Sequence, residues 1–328
     1  MLNLRQLGRH WLHSQLLPVL ESGDDPLIGG QAVMEGVMMR TPKSYCVAVR
    51  LPDGGIVTRE TLAPKLSDKS RFWKTPVIRG CGVLGQSMAL GMKALNFSTE
   101  KAIEAEGDGA SGERTELPPW VLWLNIAVSL GFFIVMYKFL PLLATQQLQG
   151  WMPSLDNQVG FSVVEGGIRL SIFLTFLFAM SRLKDIRRVF EYHGAEHKVV
   201  FNFESGREVT VENAQGFDTW HPRCGTSFLM VVMVVAIAVY AMVPFDGFAG
   251  QFLARIALLP LIAGLSYEII RFAAKHQQSF FALLVRPGLW LQRITTKPPS
   301  DEQVEVSIHA LRTALEFERL SGGRPMVA

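Results

Sequence analysis

The sequence VLWLNIAVSLGFFIVMYKFLPLL occupies residues 121–143 and decides the class of fold. A helix needs about 20 mostly apolar residues to cross a bilayer, because the hydrocarbon core is about 30 Å thick and each residue rises about 1.5 Å. This stretch is long enough, and aromatic residues flank it as they do at membrane interfaces, with Trp120 and Trp123 at one end and Tyr137 at the other. The sequence therefore predicts a membrane-spanning helix over 120–144.

Three further apolar segments predict three more spans, at 161–182, 226–244 and 250–272. The segment 161–182 is the least apolar of these, since it contains Glu165 and Arg169. Residues at i and i+4 lie one above the other on a helix, so this pair can form an ion pair and lower the cost of insertion. The predicted fold is mainly α, a polytopic membrane protein with about four transmembrane helices. The alternative is a large buried helical core.

The composition supports the membrane interpretation and excludes several other classes. Of the 328 residues, 49% are hydrophobic and only 19% are charged, whereas soluble domains carry roughly 25% charged residues. Clustered apolar residues exclude a disordered, fibrous or nucleic-acid-coating protein, and a net charge of +3 is too small to imply a nucleic-acid partner. The three cysteines are too few and too scattered to form a disulfide framework.

The distribution of lysine and arginine predicts the orientation. The connections 146–160 and 244–251 contain neither residue, whereas 181–225 contains seven and the N-terminal region and C-terminal tail are also rich in them. Cytoplasmic loops carry the excess of lysine and arginine in membrane proteins. Both termini and the loop 183–225 are therefore predicted to face the cytoplasm.

The region before the membrane domain, residues 1–117, is predicted to be cytoplasmic. It contains a small β unit over 27–62, in which PDGG at 52–55 forms a turn between two strands. An amphipathic helix follows at 77–96, at the membrane surface. The polar, acidic stretch 98–116 is predicted to be a linker.

The membrane domain covers 118–273, and a helical tail is predicted over 274–328. Its first part, 280–294, has the pattern of an interfacial helix. Its second part, 301–320, has the pattern of a soluble amphipathic helix, and Ser300 precedes it as a capping residue.

The loop 183–225 contains the residues that suggest chemistry. The sequence YHGAEHK at 192–198 has the form H-x-x-E-H, which places His193 and His197 one helical turn apart on one face. Two imidazoles at this spacing can bind one metal ion, and the inverted zinc-hydrolase signature has this form. Downstream, WHPRCG at 220–225 places His221 and Cys224 on a turn before the third span. Two ligands from a helix and two from a turn predict a tetrahedral zinc site.

The spacing leaves the role of the metal open. Four protein ligands would make the site structural, whereas three would leave a position for water, whose pKa the ion would lower. If Cys224 is not a ligand, Glu196 becomes a general base; if Cys224 binds, Glu196 orients a ligand. Glu35 is a second candidate ligand or base, and its alternative role is that of a turn carboxylate bonded to nearby backbone N–H groups. Without a metal, the histidines would be ordinary surface or interfacial side chains.

Four motifs together resemble the YqhQ-like family of bacterial inner-membrane proteins: GGQAVMEGVMMR at 29–40, YHGAEHK at 192–198, HPRCGTSF at 221–228 and PGLWLQ at 287–292. The likeness covers roughly residues 25–320. It implies a multi-pass protein of the bacterial inner membrane and, by the label the family carries, a metal-dependent enzyme of no stated substrate. The family motifs fall on Glu35, His193, Glu196, His197, His221 and Cys224.

Three hypotheses follow. The first is a zinc-dependent, hydrolase-like membrane enzyme acting on a lipid-linked or membrane-proximal substrate, with Glu196 activating water at the cytoplasmic face. The second is a non-catalytic membrane scaffold with a structural zinc site, whose helix 301–320 binds a membrane-protein partner. The third is a small transporter or lipid carrier, with Glu165, Arg169 and Arg255 lining a path. The lipid bilayer is a partner in all three, and the sequence predicts no oligomeric state.

Overall fold

The computed structural model describes residues 28–63, 73, 75–106, 119–221, 224–243, 247–275 and 280–321. Over these ranges the chain is mainly helical with one small antiparallel sheet near its beginning. The mainly α prediction with an N-terminal β unit is therefore confirmed. Both termini, whose cytoplasmic location was predicted, lie outside the described residues, as does most of the predicted linker.

The sheet has four strands in the order of the sequence: β1 Gly29–Val33, β2 Gly36–Arg40, β3 Ser44–Arg50 and β4 Ile56–Leu62. Each strand pairs antiparallel with the next, so the predicted turn at 52–55 does connect two strands. Side chains alternate between the two faces of a strand. In β2, Val37 and Met39 pack into one apolar cluster and Met38 into another. The sheet is consequently buried on both faces.

The helices follow in chain order, and a π-helical turn at Val135–Phe139 joins the second to the third. They are α1 Ile78–Glu106, α2 Pro119–Ile134, α3 Leu140–Gln149, α4 Gln158–Met180, α5 Lys184–Glu204, α6 Val211–Gln215, α7 Gly225–Met242, α8 Gly247–Ala257, α9 Leu259–Lys275, α10 Phe280–Thr295 and α11 Asp301–Leu320.

Within the described ranges, three helices are long and apolar enough to cross a membrane: Ala127–Gln149, Gln158–Met180 and Gly225–Met242. A bent pair, α8 and α9, meets at 46° and makes a fourth if the two helices form one broken span. The bend has a cause, since Pro260 stands at the start of α9 and lacks the N–H that a continuous helix would use. Three or four such helices suggest a membrane protein.

The first span ends later than predicted, at Gln149 rather than at residue 144. Pro141 does not stop the helix, because it lies in the first turn of α3, where an N–H has no helical partner. The π-helical turn before it accommodates the change in hydrogen bonding.

Helix α1 extends beyond the predicted 77–96 and includes residues assigned to a linker. Residues 99–106, TEKAIEAE, are rich in alanine, glutamate and lysine, which favour helix whatever their polarity. One face of α1 packs Leu90, Ala94 and Phe97 against the sheet. Another face exposes Met88 and Met92, one turn apart.

Helix α11 covers the other face of the sheet and also packs on α5. Ser300 caps it as predicted: its side chain accepts from the N–H of Gln303, whose side chain in turn accepts from the N–H of Ser300. Val304, Ile308 and Leu311 are buried in the cluster that includes residues of α5. This packing fixes α5 against both the sheet and α11, and α5 carries the candidate site.

Candidate metal centre

The histidines of the H-x-x-E-H motif lie on α5 at a rotation that the core determines. Tyr192, Ala195 and Val199 are fully buried in the cluster shared with the sheet and α11. The adjacent face therefore presents His193 and His197, whose ring centroids are 4.4 Å apart. The predicted placement of both rings on one helical face is confirmed.

The two sequence clusters converge in space. Among the described residues, the ligand atoms of His193, His197 and Cys224 lie within 4.8 Å of one another. His193 Nε2 is 3.2 Å from Cys224 Sγ. Three of the four predicted ligands are thus gathered at one point, two from α5 and one from the residue that precedes α7.

Both imidazoles are oriented by backbone carbonyls. His193 Nδ1 is 2.8 Å from the Thr295 carbonyl oxygen, and His197 Nδ1 is 2.5 Å from that of Thr219. A carbonyl oxygen can only accept, so in each ring Nδ1 carries a proton and Nε2 is the nitrogen that could bind a metal ion. Metal-binding histidines have this arrangement, in which the second nitrogen donates to a carbonyl or carboxylate. The donor set therefore fits a zinc ion.

Cys224 occupies the N-cap position of α7. Its Sγ accepts from the Thr226 N–H at 3.4 Å and lies 3.2 Å from Thr226 Oγ1. The N-terminus of a helix favours negative charge. This end of α7 is therefore a suitable place for a thiolate ligand, the form in which cysteine binds metals.

His221 lies beside the group but is not one of its members. Its Nε2 is 3.4 Å from Glu204 Oε2, and its ring centroid is 5.6 Å from that of His197. Gln292 of α10, fully buried, fixes its backbone: the His221 N–H donates to Gln292 Oε1 and Gln292 Nε2 donates to the His221 carbonyl, both at 2.8 Å. In this structure His221 shapes the turn next to the site, and its role as a ligand stays a prediction.

Glu196 is buried against the site and held by the sheet. Its Oε2 is 3.5 Å from His197 Nε2, and its carboxylate accepts from the Gly30 N–H of β1. Burial raises the pKa of the Glu196 carboxyl to about 7, although the nearby His193 and the Gly30 N–H act in the lowering direction. A side chain at Gly30 would not fit, since its Cβ would lie 2.7 Å from Glu196 Cγ. Gly30 belongs to the motif at 29–40, so this motif contributes to the site through the contact of Gly30 with Glu196.

Glu35 occupies the turn between β1 and β2, where it adopts a positive φ of 51°. Its carboxylate forms an ion pair with Arg188, with Arg188 Nη2 2.6 Å from Oε2, and accepts from the Tyr192 hydroxyl at 3.4 Å. This pairing raises the pKa of the Arg188 guanidinium above its ordinary value. These contacts hold the sheet against the part of α5 that precedes His193 in the sequence. A chemical role for Glu35 stays a prediction.

Two further residues position the candidate ligands, and no motif had marked them for that role. Lys198 donates to the carbonyls of Gln215, at 2.8 Å, and Phe217, which holds the segment leading to Thr219. Gly194 lets the chain after α10 lie directly on α5, because a Cβ there would collide with the Lys297 carbonyl. The Lys297 N–H donates to the Phe190 carbonyl at 2.9 Å along the same contact. The only sequence signal for this role of Gly194 was the presence of a glycine inside the H-x-x-E-H motif.

We expect Gly194→Ala to displace this segment and with it the Thr295 carbonyl that orients His193. Overpacking of this kind costs about 1–3 kcal/mol, and loss of a partner to a metal-bound histidine lowers metal affinity about 10- to 100-fold. Thermal unfolding and zinc titration of the purified chain measure the two effects. Gly85→Ala in α1 is the matched control, since a Cβ there meets nothing within 4 Å; equal behaviour of the two variants would contradict the expectation.

Comparisons with known proteins agree with the resemblance drawn from the motifs. A family described as "Protein of unknown function (DUF1385)" matches residues 75–317, which include His193, His197 and Cys224. The chain is also 34% identical over 303 residues to a Bacillus subtilis (strain 168) protein described as "Uncharacterized protein YqhQ", covering 90% of this chain and 94% of that protein. No solved structure matches the chain. The chain therefore belongs to the DUF1385 family, and its resemblance to YqhQ is confirmed.

Proposed function

We propose that the chain is an integral membrane enzyme of the bacterial inner membrane, zinc-dependent and hydrolase-like. The observation that supports this is the convergence of His193, His197 and Cys224 with both Nε2 atoms left available. Structural zinc sites have four protein ligands, whereas catalytic sites have three and keep a position for water or substrate. A set of three described ligands corresponds to the catalytic pattern.

The roles of the chain's own residues follow from their positions. When bound, zinc would supply Lewis acidity toward a water molecule or a substrate oxygen. Glu196, buried beside His197, is placed to accept the proton that a nucleophilic water must lose. The Gly30 N–H holds its carboxylate, and the carbonyls of Thr219 and Thr295 hold the imidazoles.

The location of the site supports a lipid-linked or membrane-proximal substrate. Cys224 directly precedes the span α7, and α5 begins four residues after the end of α4, so the site lies where two apolar helices end. Met88 and Met92 expose an apolar face on α1, as an interfacial helix does. The seven lysines and arginines of 181–225 support placing this end in the cytoplasm.

The scaffold hypothesis uses the same residues. The three ligands connect α5 to α7, and Thr295 adds the end of α10, so a bound ion would tie together elements far apart in the sequence. In that case Glu196 would only orient a ligand and would not accept a proton from water. Substitution of Glu196 separates the two hypotheses.

We expect the full chain, purified in detergent, to contain about one zinc ion per molecule by mass spectrometry of metals. We also expect it to hydrolyse p-nitrophenyl acetate, a small ester that tests for an activated water without requiring the natural substrate. Glu196→Gln should retain zinc but lower the rate about 10²- to 10⁴-fold, the usual contribution of a general base. Glu302→Gln, on the exposed surface of α11, is the matched control and should change neither.

The outcomes are distinct. Absence of a stoichiometric metal would refute both the enzyme and the zinc scaffold. Retained zinc, with a Glu196→Gln rate equal to that of the parent chain, would refute the enzyme and favour the scaffold.

A further inference from the structure

A cluster of charged side chains lies among the apolar helices, at the other end of the spans from the histidines. Glu165 and Arg169 of α4 and Arg255 of α8 are all buried, and Lys138 of the π-helical turn is half-buried beside them. Tyr240, which contacts this cluster, lies sixteen residues along the chain from Cys224. At 1.5 Å per residue this is about 24 Å along α7. The cluster is therefore separate from the candidate metal centre.

The carboxylate of Glu165 is shared by two guanidinium groups. Arg255 Nε donates to both of its oxygens at 2.8 Å, and Arg169 Nη2 contacts Oε1. Arg255 Nη2 also donates to Oε2 of Glu165. Each arginine donates to a backbone carbonyl as well: Arg169 Nε to that of Tyr137 at 3.1 Å, and Arg255 Nη1 to that of Gln251 at 2.9 Å. Tyr137 lies in the π-helical turn, a feature found frequently at functional sites.

The ring of Tyr240 brings the three cations together. Lys138 Nζ, Arg169 Cζ and Arg255 Cζ lie 5.4, 5.3 and 5.1 Å from its centroid. Its hydroxyl accepts from Lys138 Nζ at 3.1 Å and donates to the Arg255 carbonyl at 3.1 Å. The ring therefore places Lys138 close to the two arginines. Among the described residues, no carboxylate forms an ion pair with Lys138.

The charges of this cluster do not balance. Over the described part of the chain it contains three basic side chains and one carboxylate, and Glu165 is already used by both arginines. Ionised side chains inside a membrane are costly and are normally paired. An excess of basic side chains among apolar helices therefore favours the binding of an anion.

A second observation indicates where the anion would bind. Ser162 is 2% exposed, and its hydroxyl has no hydrogen-bond partner among the residues the structure describes. It lies three residues before Glu165 and seven before Arg169, so all three share one face of α4. Buried polar groups are normally hydrogen-bonded, so this hydroxyl is free to donate to an anion bound on the same face of α4.

We propose that Lys138, Arg169, Arg255 and Ser162 form a binding site for a phosphate group. Arginine, lysine and a hydroxyl are the donors that recognise phosphate oxygens. Lys138 uses one of its three N–H donors on Tyr240, which leaves two for the anion. The phosphate belongs either to a phospholipid headgroup, reached past the half-buried Lys138, or to a soluble phosphate compound.

Native mass spectrometry of the full chain released from nanodiscs of equimolar phosphatidylglycerol and phosphatidylcholine tests the lipid source. Calorimetric titration of inorganic phosphate into delipidated protein in detergent tests the soluble source. We expect at least one of the two to bind, and Lys138→Gln to weaken that binding about 10-fold or more, the effect of losing one charged hydrogen bond. Lys101→Gln, at a partly exposed lysine of α1 that pairs with Glu104, is the matched control.

Retention of phosphatidylglycerol by the parent chain assigns the site to a headgroup, and binding of phosphate alone assigns it to a soluble anion. If Lys138→Gln lowers the unfolding temperature, Ser162→Ala provides the second variant, with the same expected direction. Binding of neither probe by the parent chain, or equal binding by parent and folded variants, would overturn the proposal. The outcome is independent of zinc content, because the two sites are at opposite ends of α7.

Discussion

Replacing His197 by alanine is expected to abolish zinc binding by the purified chain. Losing even an outer partner of a ligand lowers metal affinity about 10- to 100-fold, and removing a ligand itself costs more. Only His193 and Cys224 of the described group would remain, and two ligands do not hold zinc in a stable protein site. Substitution of His193 should have the same effect, since its Nε2 points at the same place.

The measurement is zinc content after dialysis against a weak chelator, followed by competition titration to obtain the dissociation constant. His309→Ala is the matched control, because His309 is exposed on α11, away from α5. His221→Ala is the more informative variant. If three ligands form the site, this variant retains most of its zinc, whereas a loss as large as that of His197→Ala would make His221 the fourth ligand and the site structural.

The parts of the fold that sequence reasoning predicted are those that depend on neighbours along the chain. Apolar length identified the long apolar helices, alternation and a turn identified β3 and β4, and a capping residue located the start of α11. The pairing of Glu165 with Arg169 was predicted for the same reason, because i and i+4 positions meet on any helix. Boundaries were less accurate, as the end of α1 shows.

The parts that were not predicted depend on chain segments brought together by the fold. The H-x-x-E-H spacing identified His193 and His197, but the carbonyls that orient them come from Thr295 and Thr219, 102 and 22 residues away. A backbone carbonyl has no sequence signature, since every residue carries one. Gly30 illustrates the same point, because its contribution to Glu196 is an N–H and the absence of a Cβ.

Arg255 is the clearest case of a missed partner in the membrane region. The transporter hypothesis named it with Glu165 and Arg169 as lining a path but did not pair it with Glu165. It bonds to Glu165, 90 residues earlier, more extensively than the predicted Arg169 does. Only helix packing decides which buried charges meet. The excess of positive charge, on which the phosphate proposal rests, could therefore not be seen from the i, i+4 pair alone.

Glu165→Gln is expected to destabilise the chain strongly. Removing one partner of a buried ion pair costs about 3–5 kcal/mol, because the other charge stays buried without compensation. Here one carboxylate serves two arginines, and the exposed fractions of the Arg169 and Arg255 side chains are only 6% and 4%. Thermal and denaturant unfolding of the full chain in detergent measure the change. Glu305→Gln, which breaks an ion pair whose carboxylate is 58% exposed, should cost no more than about 1 kcal/mol.

A double substitution tests the cause of that loss. If the cost comes from unpaired arginine charge, then Glu165→Gln combined with Arg255→Met should be less destabilising than the sum of the two single changes, since methionine removes a charge that glutamine has left unpaired. If the cost came only from lost packing, the two effects would add. Additivity would therefore contradict the electrostatic explanation, and it would also weaken the argument that the excess of basic side chains favours an anion.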